Sequence, residues 1–387
     1  MIQDPQGAVN KGLYIGLISG TSMDGVDAAL VSIGAIEMST PTTLTIPYPD
    51  DLNARLLDVI DPERPTSIHE LASLDVEVGR CFAQAAIRLV RQSNVDPHDI
   101  IAIGSHGQTL RHSPDSDPPY SIQIGDPATI AALSGIRTVA DFRSSDLAYG
   151  GQGAPLVPPF HEWRFRTTAR NRTVLNIGGI ANVSVLPADS GQALLGYDTG
   201  PGNCLMDEWY RAEHDGPFDA GGRWAASGTL SEALLERFME DPYLQQPPPK
   251  STGRETYNLD YIKSQLRLSR LDTVPAADVQ RTLLQFTVES IAKGIEDENS
   301  YMPEEILVCG GGVHNGELIS NLRNRLPGCD VKSTMDEGLD PDMVEAAAFA
   351  WFACRRIAGL AVPMTTGEPG RAILLGGLYE PTAEMSS

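Results

Sequence analysis

A short polar loop near the N-terminus combines residue types that bind phosphates and a divalent cation. It lies between two apolar runs, residues 13–18 and 26–33, which predict the strands of a hairpin. Gly20 and Gly25 leave backbone N–H groups open to an anion, and Thr21 and Ser22 supply hydroxyls. Asp24 and Asp27 supply carboxylates for a hydrated Mg²⁺. The loop therefore predicts a site for a nucleoside triphosphate, and a plain hairpin turn is the alternative.

A carboxylate in the second half of the chain is a candidate general base. Asp198 follows a short predicted strand, residues 194–197, and precedes two glycines and a helix predicted to begin near Cys204. A carboxylate at a strand end beside a helix N-terminus is well placed to accept a proton. A role as a helix cap or turn residue is the alternative that the sequence leaves open.

A polar segment after a short apolar run is a further candidate site. Residues 100–103 predict a buried strand, and residues 104–109 predict a loop at its carboxyl end. Loops in this position bind ligands in α/β folds. His106 has a glycine nearby on each side and no obvious packing role, so contact with a substrate and a structural role are both open.

A basic side chain, Arg143, precedes a glycine-rich segment, residues 150–153. The glycines and the prolines that follow them predict an ordered loop of fixed shape. The planar guanidinium of Arg143 suits a substrate carboxylate. A structural ion pair between Arg143 and Asp141 is the alternative.

Three consecutive glycines, Gly310, Gly311 and Gly312, follow a predicted strand at residues 306–309. Such a segment lets a flat ring lie against the backbone, which suits an adenosine. The sequence contains no GxxxxGK[ST], no strand-linked GxGxxG, no HExxH and no GxSxG motif. Their absence argues against P-loop enzymes, Rossmann dehydrogenases, zincins and α/β-hydrolases.

The elements that must position these residues recur in the two halves of the chain. Residues 173–177 and 182–186 predict a second hairpin, with Gly178 and Gly179 at its tip. Two hairpins with glycine tips, one opening each half, predict a duplicated α/β fold whose halves face each other across a cleft. The polar segment 164–172 predicts the boundary between the halves.

Helical periodicity predicts long helices at residues 67–92 and 276–295, and a last long helix from Asp340 to about residue 360. A shorter helix is predicted after Asp126, which suits an N-cap because Pro127 follows it at the first helical position. These helices and the predicted strands indicate an α/β class for both halves.

Composition and charge narrow the function classes. The 387 residues suffice for two packed domains, and the net charge of -22 argues against partners such as nucleic acid or an anionic membrane surface. The five cysteines have no CxxC spacing, which predicts reduced thiols with neither a metal site nor disulfides. With no leader pattern and no apolar run of about 18 residues, the sequence predicts a soluble, cytoplasmic protein.

Taken together, the motifs resemble the anhydro-N-acetylmuramic acid kinase family. They occur in the expected order over nearly the whole chain, with no departure at the motif positions. They are residues 16–27 (GLISGTSMDGVD), 104–109 (GSHGQT), 140–143 (ADFR), 150–155 (GGQGAP), 175–179 (LNIGG), 198–203 (DTGPGN) and 309–312 (CGGG).

The resemblance implies a duplicated actin-like ATPase fold of the hexokinase type, with ATP at the base of a cleft between two domains. The expected domains are residues 1–168, completed by the C-terminal helix, and residues 169–387. It also implies a homodimer, the cofactors ATP and Mg²⁺, and a role in peptidoglycan recycling. The implied reaction hydrolyses the 1,6-anhydro ring of 1,6-anhydro-N-acetylmuramic acid and phosphorylates O6, giving N-acetylmuramate 6-phosphate.

The resemblance also implies a role for each motif. Asp198 is expected to be the general base, and Asp24 the metal ligand. The expected second phosphate turn is Gly178 and Gly179, and the expected adenosine site is Gly310, Gly311 and Gly312. The expected sugar-binding residues are His106, Gln108, Arg143 and Gln152. The expected first phosphate loop consists of Gly20, Thr21, Ser22, Met23, Asp24, Gly25, Val26 and Asp27.

Several alternatives stay open at this stage. Another sugar or carboxylate kinase of the same fold would share the motifs, and a filament-forming or chaperone-like ATPase would use the same nucleotide cleft. A pure binding protein would leave the Asp198 segment and the Mg²⁺-type carboxylates without a purpose. A second catalytic carboxylate is also undecided among Asp24, Glu337 and Glu345.

Overall fold

The computed structural model describes residues 11–20, 23–34, 37–61, 64–189, 191, 194–271, 273–297, 302–366 and 371–381. The chain forms two compact units. Unit 1 comprises Met1–Phe160 and Met343–Ser387, and unit 2 comprises His161–Asp342. The division therefore lies before the boundary expected at residues 168 and 169. In addition, the whole segment after Asp342, and not its helix alone, belongs to unit 1.

Unit 1 contains a mixed sheet and the helices packed on it. Its elements before the division are β1 (Gly12–Ser19), β2 (Gly25–Ile33), β3 (Met38–Pro47), α1 (Asp50–Ile60), α2 (Ile68–Ser93), β4 (Ile100–Ser113), β5 (Tyr120–Ile124), α3 (Pro127–Ser134), β6 (Thr138–Ala140) and α4 (Phe142–Ala148). A further helix, α5 (Pro158–Phe165), contains the division itself.

Unit 2 has the same kind of architecture. Its elements are β7 (Arg172–Ile177), β8 (Ile180–Leu186), β9 (Leu195–Pro201), α6 (Cys204–Glu213), α7 (Arg223–Ser227), α8 (Glu232–Met239), α9 (Leu259–Leu268), α10 (Ala276–Asp297), β10 (Glu305–Cys309), α11 (Gly316–Arg325) and β11 (Asp330–Ser333). The chain then returns to unit 1 as α12 (Val344–Ile357), β12 (Val362–Pro363), β13 (Ala372–Ile373) and β14 (Gly377–Tyr379).

Five strands of the unit 1 sheet have the same order as the five strands of the unit 2 sheet, which confirms the predicted duplication. In unit 1 the order is β14-β6-β4-β1-β2-β3, with β5 paired to β4, and in unit 2 it is β11-β10-β7-β8-β9. Each begins with an antiparallel meander of three strands, and the first two strands of each meander form the predicted hairpin. The first strand of each meander then pairs in parallel with the next strand of its sheet.

Two strands extend through segments that the sequence predicts as loops. Residues 104–109 lie inside β4, since that strand continues along β1 and then pairs with β5. Asp198 likewise lies inside β9, opposite Asn182 of β8. Glycine and polar residues favour loops locally, but here their backbone groups are paired by strands distant in sequence.

Helices cover both faces of the unit 1 sheet. The expected helix α2 begins with Ser67 as its N-cap, whose hydroxyl accepts a hydrogen bond from the Glu70 amide at 3.0 Å. The buried face of α2 belongs to the same apolar core as Ile15 and Leu17 of β1. Side chains alternate along a strand, so the intervening Gly16 faces the other side, where α12 packs.

The remaining helix predictions have mixed outcomes. Asp126 caps α3, accepting hydrogen bonds from the amides of Ala128 and Thr129, as predicted. The last long helix begins at Val344, later than the predicted start at Asp340. None of the helices described is long and apolar enough to cross a membrane.

Candidate active site

The loop between β1 and β2 turns tightly on a buried residue. Thr21 and Ser22 lie outside the described residues. Met23 has a left-handed backbone conformation, with φ of 57°, and only 4% of its surface is exposed. Its amide donates to the carbonyl of Gly20 at 3.2 Å, and the side-chain amide of Asn53 donates to the Met23 carbonyl. Met23 therefore anchors the loop from beneath.

The two carboxylates near this loop have different surroundings. Asp24 is exposed, and its carbonyl accepts a hydrogen bond from the Tyr48 amide at 3.1 Å. Asp27 lies within β2, where the Thr45 hydroxyl donates to its carboxylate at 2.6 Å. Asp24 is thus the carboxylate at the turn itself. Val26 is fully buried and contributes to the core.

Gly25 is required by the neighbouring strand. A Cβ atom at this position would overlap the carbonyl oxygen of Ile46 on β3. The glycine therefore permits close strand pairing, and access for a ligand is not needed to explain it.

Gln108 links β4 to the start of the loop between β1 and β2. Its side chain is fully buried. Its Oε1 accepts a hydrogen bond from the Ser19 hydroxyl at 2.6 Å, and its Nε2 donates to the Gly20 carbonyl at 3.1 Å and to the Thr109 carbonyl at 3.3 Å.

His106 and Arg143 form a hydrogen-bonded pair on unit 1. The Nδ1–H of His106 donates to the Gly107 carbonyl at 2.9 Å, so its Nε2 accepts from the Nε–H of Arg143, also at 2.9 Å. Burial, and then the charge of Arg143, hold the pKa of His106 well below its usual value of 6.5. Arg143 also donates to the Gly153 carbonyl at 2.6 Å. A neutral histidine thus helps to orient the guanidinium.

The glycine-rich segment around Gln152 is held in a fixed shape, as predicted. The carboxylate of Asp146 accepts from the Gly153 amide at 2.7 Å, and the Gln152 amide donates to the Thr366 hydroxyl at 2.8 Å. Burial raises the pKa of Asp146, which is only 5% exposed. Sequence reasoning missed Asp146 because no local motif distinguishes an acidic residue in a short helix.

His112 is a second residue that sequence reasoning missed. It lies on β4 beside Gly153, and its Nδ1 is hydrogen-bonded to the Ser121 hydroxyl at 3.0 Å. Its buried Nε2 has no hydrogen-bond partner among the described residues. Burial, and then the charge of Arg143, lower the pKa of His112 to about 4. Its spacing of six from His106 gave no signal, because both were expected in or after a loop.

On unit 2, Asp198 is fixed by contacts with a segment distant in sequence. Its carboxylate accepts a hydrogen bond from the Thr252 amide at 3.0 Å, and its own amide donates to the Lys250 carbonyl at 3.0 Å. The Tyr243 hydroxyl donates to the Asp198 carbonyl at 2.8 Å. The side chain is only 9% exposed. The N-cap position of α6 is Asn203, so a helix-capping role does not account for Asp198.

The turn at Gly178 and Gly179 accepts backbone hydrogen bonds from the residues at the start of α6. The Gly178 carbonyl accepts from the Asn203 amide at 2.8 Å, and the Gly179 carbonyl accepts from the amides of Gly202 and Cys204 at 2.9 and 3.1 Å. The second hairpin tip and the segment after Asp198 therefore form one rigid loop pair.

The three glycines after β10 fall into two kinds. A Cβ atom on Gly310 would overlap the side-chain oxygen of Asn176, and one on Gly312 would overlap the Ile177 side chain. A Cβ atom on Gly311 would have no heavy atom of the described residues within 4 Å. Gly310 and Gly312 are therefore explained by packing against β7, whereas Gly311 leaves a flat open surface.

The remaining candidate carboxylates differ in role. Glu337 pairs with Arg172 at 2.6 Å, and its carbonyl accepts a hydrogen bond from Arg164, so it belongs to a structural network of unit 2. Glu345 lies on α12 in unit 1, where burial raises its pKa. Within the described ranges, no group of three or more His, Cys, Asp or Glu side chains is placed to hold a metal ion.

Comparisons with known proteins give a consistent family. A protein-family model described as anhydro-N-acetylmuramic acid kinase matches residues 12–381. The chain is 46% identical over 378 residues to an anhydro-N-acetylmuramic acid kinase of Xanthomonas oryzae pv. oryzae, covering 96% of this chain and 98% of the relative. It is 44% identical over 374 residues to that of Photobacterium profundum, covering 95% of this chain and 98% of the relative.

Similarity to solved structures is weaker. A ROK family glucokinase from Streptomyces griseus, in complex with glucose and AMPPNP, is 13% identical with a TM-score of 0.39. The match covers 88% of this chain and 98% of that one.

Proposed function

The chain belongs to the anhydro-N-acetylmuramic acid kinase family, and from this premise we propose how its residues carry out the reaction. It is an ATP-dependent kinase that hydrolyses the 1,6-anhydro ring of 1,6-anhydro-N-acetylmuramic acid and phosphorylates O6. The observation that carries the proposed mechanism is the fixed carboxylate of Asp198, held by the Thr252 amide at 3.0 Å.

Asp198 acts as the general base. It accepts a proton from a water molecule whose oxygen forms a bond to C1 of the sugar, while the C1–O6 bond breaks. Attack from the face opposite the bridging oxygen, as in inverting glycosidases, gives inversion at C1. The hydrogen bond from Thr252 fixes one carboxylate oxygen and so sets the direction in which the other faces.

O6 takes the γ-phosphoryl group as it leaves C1, so ring opening and phosphoryl transfer drive one another, and ADP is released. Phosphoryl transfer needs positioning and charge neutralisation more than covalent participation by the protein. The loop from Gly20 to Asp24, which precedes β2, and the turn at Gly178 and Gly179 position the phosphates through backbone groups. Gly311 provides the surface for the adenosine, because it alone of its triplet is not explained by packing.

Mg²⁺ fits the first of these loops. In kinase sites this ion binds one or two carboxylates together with substrate phosphates, and Asp24 is an exposed carboxylate at the turn. When bound, the ion would neutralise charge on the phosphate oxygens.

Unit 1 supplies the contacts to the sugar. Arg143, oriented by His106 and Gly153, is suited to the lactyl carboxylate because its planar guanidinium matches carboxylate geometry. Gln152 lies on a segment that Asp146 and Thr366 hold in place, and its half-buried side chain is a candidate for the N-acetyl group.

The substrate assignment is tested by ADP release with Mg-ATP and a panel of sugars. The panel contains 1,6-anhydro-N-acetylmuramate, N-acetylmuramate, N-acetylglucosamine and glucose, with a sugar-free control. We expect turnover with the anhydro sugar at least tenfold above every other sample. Equal turnover without sugar would instead indicate an ATPase module.

We also propose a cytoplasmic homodimer that acts in peptidoglycan recycling, on the basis of the family resemblance. Light scattering after size-exclusion chromatography tests the dimer directly. A mass equal to one chain at assay concentration would overturn that part of the proposal.

A further inference from the structure

Gln108 is a buried residue of β4 that contacts the start of the loop between β1 and β2. Its side chain is fully buried, and Ser19, to which it is hydrogen-bonded, is only 2% exposed. Ser19 is the last residue of β1 and Gly20 is the first residue of the loop. One side chain therefore holds both residues at the point where the chain leaves the sheet.

Both N–H donors of this amide are already used, and its carbonyl oxygen accepts one hydrogen bond. A glutamine side chain has two N–H donors and one carbonyl acceptor. The two donors engage the carbonyls of Gly20 and Thr109, and the acceptor engages the Ser19 hydroxyl. A sugar ligand would need a polar atom directed outward, and burial of the whole side chain provides none.

We propose that Gln108 is a positioning residue for the nucleotide phosphates and not a sugar ligand. By fixing Ser19 and the Gly20 carbonyl, it sets the direction in which the chain leaves β1 for the loop proposed to bind the phosphates. The inference rests on the proposed function of the loop at Gly20, and it replaces the sequence-based expectation that Gln108 binds the sugar.

The chemistry of the amide distinguishes this role. Gln108→Glu keeps an oxygen that accepts from Ser19, but it places a second oxygen opposite the carbonyls of Gly20 and Thr109. In a buried site, this oxygen and the two carbonyl oxygens repel one another, and the carbonyls lose their hydrogen-bond donor. The Gly20 carbonyl then turns away, and the loop loses its orientation. Ser19→Ala removes the serine hydroxyl, and with it the bond to Oε1 and the contact with the Tyr48 hydroxyl, but it leaves the bond from Gln108 to Gly20.

The test measures the two ligands separately by calorimetry. The probes are a non-hydrolysable ATP analogue with Mg²⁺, and 1,6-anhydro-N-acetylmuramate without nucleotide. For Gln108→Glu we expect the Kd of the nucleotide to rise at least tenfold and that of the sugar to change less than twofold. Ser19→Ala should show the same pattern with a smaller rise. Gln84→Glu, on the exposed face of α2, makes the same charge change and should alter neither Kd.

Other outcomes overturn the inference. If Gln108→Glu raises only the Kd of the sugar, Gln108 is a sugar ligand. If Gln108→Glu and Ser19→Ala each raise the Kd of the nucleotide and the Kd of the sugar equally, Gln108 has only a structural role. Failure of the proposed function is seen separately, as wild-type protein that releases no ADP in response to sugar. In that case the effect of Gln108→Glu on nucleotide binding would still be measurable.

Discussion

Arg143 is oriented through a histidine that must stay neutral. The Nε2 of His106 can accept from Arg143 only without a proton, because its Nδ1–H already donates to Gly107. Protonation would place an N–H against the guanidinium and bring two positive charges together. Burial, and then the charge of the same guanidinium, lower the pKa of His112. At the scale of residues, we therefore expect acid to disturb the pair of His106 and Arg143, which is proposed to bind the sugar.

The first prediction concerns this acid sensitivity. The pKa of His112 is about 4 in the folded protein and about 6.5 in the unfolded chain. At pH values between these two pKa values, the folded state therefore binds fewer protons than the unfolded state. Its contribution to stability is complete above pH 6.5 and is lost as the pH falls toward 4. Over this pH range, the unfolding free energy of wild type should decline relative to that of His112→Gln. The decline should be at most about 1.4 kcal/mol per pH unit, because solvent screens the partly exposed ring.

Urea unfolding at a series of pH values measures this decline. His98→Gln, an exposed histidine in the same unit, should leave the profile unchanged. A wild-type to His112→Gln difference that stays constant from about pH 7 to about pH 4 would contradict the prediction.

The second prediction separates packing glycines from the nucleotide surface. Gly311→Ala should fold with wild-type stability, because its methyl group meets none of the described residues, but it should weaken nucleotide binding by about tenfold or more. Gly312→Ala should instead lower stability by roughly 1–3 kcal/mol, because its methyl group overlaps Ile177. Thermal unfolding and nucleotide calorimetry on both variants make the comparison. Unchanged nucleotide affinity in Gly311→Ala would argue against this adenosine surface.

At the scale of elements, α12 lies unusually close to the central strands of unit 1. A Cβ atom on Gly16 of β1 would overlap the Ala346 carbonyl, and one on Gly104 of β4 would overlap the Phe349 carbonyl. The ring of Phe349 also packs against His106, with centroids 4.8 Å apart. These two motif glycines are therefore explained by helix packing, which also places Phe349 of the C-terminal helix against His106.

The third prediction follows from this packing. Gly104→Ala should destabilise unit 1 by about 1–3 kcal/mol, because the helix must move to admit a methyl group next to its backbone. Gly135→Ala has open space around its Cβ position but a left-handed backbone, so it reports conformational strain without a clash. Chemical denaturation compares the two. A Gly104→Ala variant as stable as wild type would show that α12 is not seated as described.

The sequence predicts elements well where the signal is local. The hairpin of β1 and β2 and the helix α2 follow from apolar runs and from helical periodicity. The extension of β4 through residues 104–109 was missed because its cause is pairing with β1 and β5. Asp198 was expected after a strand and lies within one for the same reason. Long-range pairing leaves little trace in the residues that it orders.

At the scale of the whole molecule, two copies of one strand order account for the fold. The predicted duplicated α/β fold is confirmed, since each unit contains a sheet with the same order of five strands. Which residues touch the nucleotide or the sugar stays a prediction. Gln108 shows why the motif alone does not tell which residues contact a ligand. A glutamine at this position can contact a ligand or have a buried structural role, and only the hydrogen-bond partners of its side chain distinguish the two.

The fourth prediction concerns the net charge of -22. Self-repulsion at this charge destabilises the compact state, and salt shortens the screening length from about 30 Å at 0.01 M to about 8 Å at 0.15 M. The midpoint of thermal unfolding should therefore rise between these ionic strengths, by roughly 2–4 °C for each kcal/mol of repulsion relieved. Calorimetry in sodium chloride tests the effect. A midpoint that falls with added salt would mean that attractive surface pairs outweigh the net repulsion.

The most direct test of the central claim compares wild type with Asp198→Asn in ADP release driven by 1,6-anhydro-N-acetylmuramate. The amide keeps an oxygen for the Thr252 hydrogen bond but cannot accept the proton of water. We predict that turnover falls by about 10²–10⁴-fold, with nucleotide affinity within twofold of wild type. Asp215→Asn, an exposed carboxylate of unit 2, should retain full activity. Turnover by Asp198→Asn within tenfold of wild type would contradict its role as the general base.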